Sequence, residues 1–215
     1  MNATNSSSVF KGVVYKRLSA VETDPSRSNQ HEFNGSRPLL ELFGREQPRR
    51  FTAEFMRMAD DGSIESVPGS LTWYDARARH PTRSEYRLYY YSNAVSQKAE
   101  AGDTLIIGRR RDGSVFVLIA TRTQANAARI AWLFGVEIEP GAAFAAIDLT
   151  NDERFFPGAK LGVSVQTAAW EKDSTTTTGP IEAHDLGPVR ELQRLLGCPK
   201  SSNATDGSTW IEENW

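Results

Sequence analysis

Asp103-Thr104-Leu105-Ile106-Ile107-Gly108-Arg109 and Ser114-Val115-Phe116-Val117-Leu118-Ile119-Ala120-Thr121 flank the dipeptide Asp112-Gly113. Two apolar, β-branched runs around Asp-Gly read as a β-hairpin, because Asp and Gly accept the positive φ angles of a tight hairpin turn. The same grammar appears upstream. Arg49 to Met58 alternates, with Phe51, Ala53 and Phe55 on one face and Thr52 and Glu54 on the other, and Asp61-Gly62 follows as a second turn. Val9 to Leu18, Ser70 to Tyr74, Tyr86 to Tyr91 and Phe144 to Leu149 read as further strands. Short strands at regular spacing imply an antiparallel barrel or sandwich.

Helices are few. Pro38 to Gly44 carries proline at its start and glycine at its stop. In Thr123 to Phe134, Ala127, Ile130, Ala131 and Phe134 fall at helical spacing before Gly135. In Pro188 to Leu196, Val189, Leu192, Leu195 and Leu196 share a face before Gly197. Ser19 to Gly35 is polar and too long for a tight turn, which marks it as a functional loop. The organisation expected is a domain over 1–172 with an extension from about 136, a threonine-rich linker over 173–185, and a helix with a frayed tail over 186–215.

The chain has 215 residues, 39% of them hydrophobic, enough for a real core. It has no apolar run near the roughly 20 residues that span a bilayer, and Met1 to Ser8 is polar and uncharged, unlike a secretory leader. Cys198 is the only cysteine, so neither a disulfide frame nor a cysteine-based zinc site is expected, and the expected location is a reducing cytoplasm. Net charge is −2, but the distribution is uneven: residues 1–135 carry +5 and residues 136–215 carry −7. A basic front and an acidic back suggest two functional surfaces.

Within the basic part, Arg77-Ala78-Arg79-His80-Pro81-Thr82-Arg83-Ser84-Glu85-Tyr86-Arg87 holds four arginines and one carboxylate. A guanidinium fork donates two hydrogen bonds to guanine O6 and N7, and a glutamate accepts from cytosine N4. The segment therefore reads as a G·C reader, with a solvated strand pair of weak ion pairs as the bland alternative. Arg109-Arg110-Arg111 lies at a hairpin tip and reads as a solvated turn; Trp73 and Tyr74 read as barrel packing.

Tyr15-Lys16-Arg17-Leu18-Ser19-Ala20, followed by Thr23 and Asn29-Gln30, resembles the start of the effector-binding N-terminal domain of the EcoRII restriction endonuclease. Thr82-Arg83-Ser84-Glu85-Tyr86-Arg87 resembles that family's second DNA-contacting segment, with its Thr-Arg-x-Glu-x-Arg pattern. The resemblance covers roughly residues 9–135. It implies a mainly β, seven-stranded, open and mostly antiparallel DNA-binding pseudobarrel, like that of the plant B-three transcription factors. Two arms would grip the major groove of double-stranded DNA at a CCWGG site, and a fused or missing nuclease domain would do the cutting. The first arm would be Arg27-Ser28-Asn29-Gln30-His31-Glu32 and the second Arg79 to Arg87, including His80, Thr82, Ser84 and Tyr86. Where the family's first arm has histidine this chain has Asn29, and Pro81 and Tyr86 stand where its second arm has lysines.

Asn29 and Gln30 can pair with adenine, or cap the loop; Lys16, Arg17 and Arg77 are cast as phosphate clamps and His31 as a phosphate or loop contact. Restriction-type nucleases bring carboxylates and a lysine to a divalent metal, but the chain has no Pro-Asp dipeptide and no lysine with an acidic residue two places before it. Catalysis by this chain alone is therefore not expected. DNA binding needs no cofactor on this reading, and Mg²⁺ would serve only a nuclease domain elsewhere. Two alternatives are a compact metal-dependent nuclease with an unconventional site in residues 144–172, and a single-strand binder stacking bases on Tyr89-Tyr90-Tyr91. The second is disfavoured because consecutive strand residues face opposite ways.

Overall fold

The structure, a computed structural model, describes residues 9–24, 31–45, 49–134, 136, 143–147 and 186–197. In chain order it runs β1 (Phe10–Arg17), a one-turn helix α1 (Ala20–Thr23), β2 (Glu32–Asn34), α2 (Arg37–Phe43), β3 (Arg49–Met58), β4 (Ile64–Asp75) and β5 (Tyr86–Tyr90). A 3-10 turn at Ser96–Lys98 leads to β6 (Thr104–Arg110), β7 (Val115–Ala120), α3 (Gln124–Phe134), β8 (Ala145–Ala146) and α4 (Leu186–Leu196). The chain is mainly β with short helices, as the patterning predicts.

The strands form one sheet in the order β2-β5-β4-β3-β7-β6-β1-β8. The expected β6–β7 hairpin lies within it, and Gly113 has a φ of 92°, the conformation that the Asp-Gly dipeptide makes accessible. All pairings are antiparallel except β3 with β7, where Ala53 lies opposite Val115 and Met58 opposite Ala120. Seven strands were expected and eight are found among the described residues. The additional one is β2, within the polar stretch 19–35, where three residues are too few to show alternation.

β4 also starts earlier than Ser70. Pro68 and Gly69 hide its first half, yet both fit there. Pro68 lies where β4 pairs only with β3, since β5 covers Leu71 to Asp75, and such a one-sided stretch tolerates a missing N–H. Gly69 makes room for a ring: a Cβ there would stand 2.7 Å from Phe55.

The sheet curls until its edges meet. Phe33 on β2 packs edge-on against Phe144, just before β8, with ring centroids 5.9 Å apart. Inside the curl, Leu39, Phe43, Phe51, Phe55, Trp73 and Leu88 are buried with neighbouring residues. Outside it, Met56, Met58, Ile106, Phe116 and Leu118 form a second core with Ile130 and Leu133 of α3 and Val189, Leu192 and Leu196 of α4. The unbroken apolar runs of β6 and β7 now have their reason: both faces of these strands are covered.

The triplet Arg109-Arg110-Arg111 departs from its expected role as a solvated turn. The Arg109 side chain is buried, donates to the Leu42 carbonyl at 3.1 Å, and lies 5.2 Å over the Phe51 ring. Arg110 donates to the carbonyls of Leu195 (3.0 Å) and Leu196 (3.2 Å) and pairs with Glu54 at 3.2 Å. A cation at carbonyls left open by the end of a helix complements its dipole. Arg109 thus secures α2 and Arg110 secures α4, while Arg111 is exposed. The expected linker over 173–185 and the tail beyond 197 lie outside the described residues.

Candidate nucleic-acid interface

β4 and β5 are joined by an arm whose nine residues, Ala76 to Ser84, are all exposed. Its stem is closed by several bonds. Ala76 N–H donates to the Glu85 carbonyl at 2.8 Å, and the Asp75 carboxylate accepts from the backbone N–H groups of Arg77 (2.8 Å) and Glu85 (2.7 Å). At the tip, His80 Nδ1 accepts from the N–H of Arg83 at 3.1 Å and of Thr82 at 3.3 Å. His80 is thereby a turn-forming residue. Beneath the arm, Trp73 is 0% exposed, stacks on Tyr86 at 5.2 Å and donates its indole N–H to the Gly44 carbonyl at 2.8 Å. Trp73 is barrel packing, as expected.

The arginines of the arm divide into two sets. Among the described residues, the side chains of Arg79 and Arg83 make no hydrogen bond or ion pair. Arg77 and Arg87 are both engaged. Arg77 Nε donates to Glu85 Oε2 at 2.5 Å. Arg87 donates from Nε and Nη2 to Glu85 Oε1 and from Nη1 to Glu32 Oε1, the last at 2.8 Å. Tyr74 Oη donates to the other Glu32 oxygen at 2.8 Å. The paired guanidinium of Arg87, and then that of Arg77, hold the Glu85 carboxyl below its ordinary range. The same bond to Glu85 raises Arg87. Backbone donation, above all from Glu85, lowers Asp75. Burial, reinforced by Glu32, raises Tyr74.

These lowered carboxyls make the stem acid-sensitive. Their contribution is complete above the ordinary carboxylate values near about 4. It is lost as pH falls through the lower folded values. Amide NMR signals of Arg77 and Glu85 are therefore expected to move together well below pH ~4, while those of β6 and β7 stay put. An unchanged stem at such pH would contradict the assigned role of Asp75.

Of the first arm, Arg27, Ser28, Asn29 and Gln30 lie outside the described residues. His31 and Glu32 are described. Tyr90 N–H donates to the His31 carbonyl at 2.8 Å, and Glu32 lies opposite Tyr89 on β5. The Glu32–Arg87 pair therefore ties the end of the first arm to the stem of the second.

Of the three residues expected to hold phosphate, Arg77 is paired with Glu85 and the other two are occupied inside the fold. Lys16 is 6% exposed, bonds Glu22 at 2.6 Å and lies 5.3 Å over the Phe144 ring. Arg17 donates to Thr104 Oγ1 at 2.6 Å and to the Gly102 carbonyl at 3.3 Å, and burial lowers its pKa. Both side chains brace the end of β1; sequence alone does not reveal this, because Glu22 and Thr104 become neighbours only through the fold.

The tyrosine run alternates. Tyr90 is buried, which pushes its phenol up to about 12, whereas Tyr91 is 62% exposed. Tyr89 and Tyr91 pack edge-on with centroids 5.1 Å apart. Among the described residues no cluster of His, Cys, Asp and Glu could hold a metal ion, and no helix is long and apolar enough to cross a membrane. The alternative nuclease segment 144–172 is described only over 144–147.

No family model matches the sequence, and no curated protein matches it. Among solved structures, the chain is similar to the B3 domain of the UbaLAI restriction endonuclease, solved with cognate DNA, with 14% identity and a TM-score of 0.31. That match covers 64% of this chain and 88% of the other.

Proposed function

We propose that the chain is a sequence-specific reader of double-stranded DNA, acting as the effector or targeting domain of a restriction endonuclease. The observation that carries the proposal is the exposed β4–β5 arm, which lifts Arg79 and Arg83 out on a stem held by Asp75 and Trp73, with His80 forming the turn at its tip. Readers benefit when the backbone that carries their guanidinium forks is fixed, because preorganisation reduces the ordering cost of binding. Arg79 and Arg83 are the base-edge readers of the second arm, with Thr82 and Ser84 beside them. Arg27, Ser28, Asn29, Gln30 and His31 form the first arm. CCWGG is the candidate site, cleavage belongs to a separate magnesium-dependent domain, and the setting is the cytoplasm. Lys16 and Arg17 are left out of the contact set, since both brace the fold.

The test is a selection from a randomised duplex pool, followed by titration of the enriched duplex, a CCWGG duplex and a scrambled one at several salt concentrations. An enriched motif bound about a hundredfold or more above scrambled DNA, with affinity falling as salt rises, is the expected result. Equal affinities for all duplexes would end the proposal. Enrichment of a motif other than CCWGG would correct the site and leave the reader intact.

A further inference from the structure

Arg87 sits in an arrangement that a plain structural ion pair does not need. A guanidinium has five N–H donors. One on Nε and one on Nη2 go to Glu85 Oε1, and one on Nη1 goes to Glu32 Oε1. One donor remains on each of Nη1 and Nη2, the two terminal nitrogens that meet guanine O6 and N7 in an end-on contact. Every carboxylate oxygen of the pair already accepts at least one bond, Glu85 Oε2 from Arg77 and Glu32 Oε2 from Tyr74 among them. The assembly is partly shielded, with the side chains of Arg87, Glu32 and Glu85 at 22%, 13% and 32% exposure. It is also balanced in charge, two arginines against two glutamates.

The geometry points to Glu32 and Glu85 as positioning residues that aim Arg87 at a guanine edge and cancel its attraction for phosphate. This rests on the DNA-reading function proposed above. Unpaired arginines bind any duplex through the backbone, a sequence-independent term. A neutralised stem restricts that term, so Arg87 contributes when base acceptors meet its two remaining donors. Tyr74 completes the device by fixing the Glu32 carboxylate. Glu32 belongs to both arms in this scheme, since it ends the first and anchors the second.

The experiment compares wild type, Glu32→Gln and Tyr74→Phe on the wild-type-selected duplex and on scrambled duplex, with thermal melting alongside. For Glu32→Gln, scrambled-duplex affinity should rise severalfold and its salt slope should steepen by about one unit. Selected-duplex affinity should fall, so that discrimination drops about tenfold or more. Tyr74→Phe removes only the bond that orients Glu32. It should reduce discrimination by a few fold and leave the scrambled-duplex salt slope unchanged. A merely structural role would instead lower both affinities in parallel with the melting temperature, and that result overturns the inference. So does unchanged discrimination in Glu32→Gln, or in Tyr74→Phe should Glu32→Gln not fold. If wild type enriches no motif, the DNA-reading proposal falls and takes this inference with it; if wild type enriches one, only the positioning role is at stake.

Discussion

Arg83→Ala is expected to weaken binding of the preferred duplex by about 1–3 kcal/mol, roughly 5- to 160-fold, while changing scrambled-duplex affinity only a few fold. Arg83 lies in the exposed tip, and its side chain has no partner among the described residues. Its backbone N–H, not its side chain, bonds His80, so truncation removes the fork without dismantling the turn. The loss should therefore appear in binding and not in melting temperature. Titration of the two duplexes at one moderate salt concentration separates the cases. A parallel loss on both would mean that Arg83 touches phosphate, and base reading at that position would have to move to Arg79.

Trp73→Ala is expected to have the largest effect on stability. Removing a fully buried aromatic side chain typically costs about 3–5 kcal/mol, against a total of about 5–15 kcal/mol for a folded domain. Here the indole also packs against Phe43 at 5.4 Å and Tyr86 at 5.2 Å, and its N–H satisfies the Gly44 carbonyl after α2. A fall in melting temperature of about 6–20 °C follows for a chain of this size. The arm should loosen as well, because Trp73 lies on β4 opposite Leu88 of β5, just below the stem. Trp73→Phe, which retains a ring but loses the indole bond, should fall between the two proteins. Melting curves, and duplex binding measured well below each transition, would check both parts. Wild-type stability in the alanine variant would mean that the ring is not the support assigned to it.

The strands were largely legible. Alternation in Arg49 to Met58 and the Asp-Gly turns after β3 and β6 mark local backbone geometry, and local geometry is what periodicity records. The misses share one cause. β2 is too short to alternate, and the early part of β4 is disguised by Pro68 and Gly69, tolerated there because of what lies beside them. The amphipathic face of α4 was readable, whereas its place against Met56, Met58 and Phe116 was not.

The arginines mark the same boundary. Sequence alone determined that this chain would be a β-rich domain with an arginine-bearing arm between two strands, because side-chain alternation and turn chemistry act between near neighbours. Tertiary structure alone decided which cations are committed. Arg110 meets α4 from more than eighty positions away, Lys16 is spent on Glu22, and Arg17 is bound to Thr104 of another strand. Arg79 and Arg83 remain outward at the tip. A charge is defined by the residue, but its availability depends on what the folded chain places within about 3 Å of it, and no local pattern carries that information.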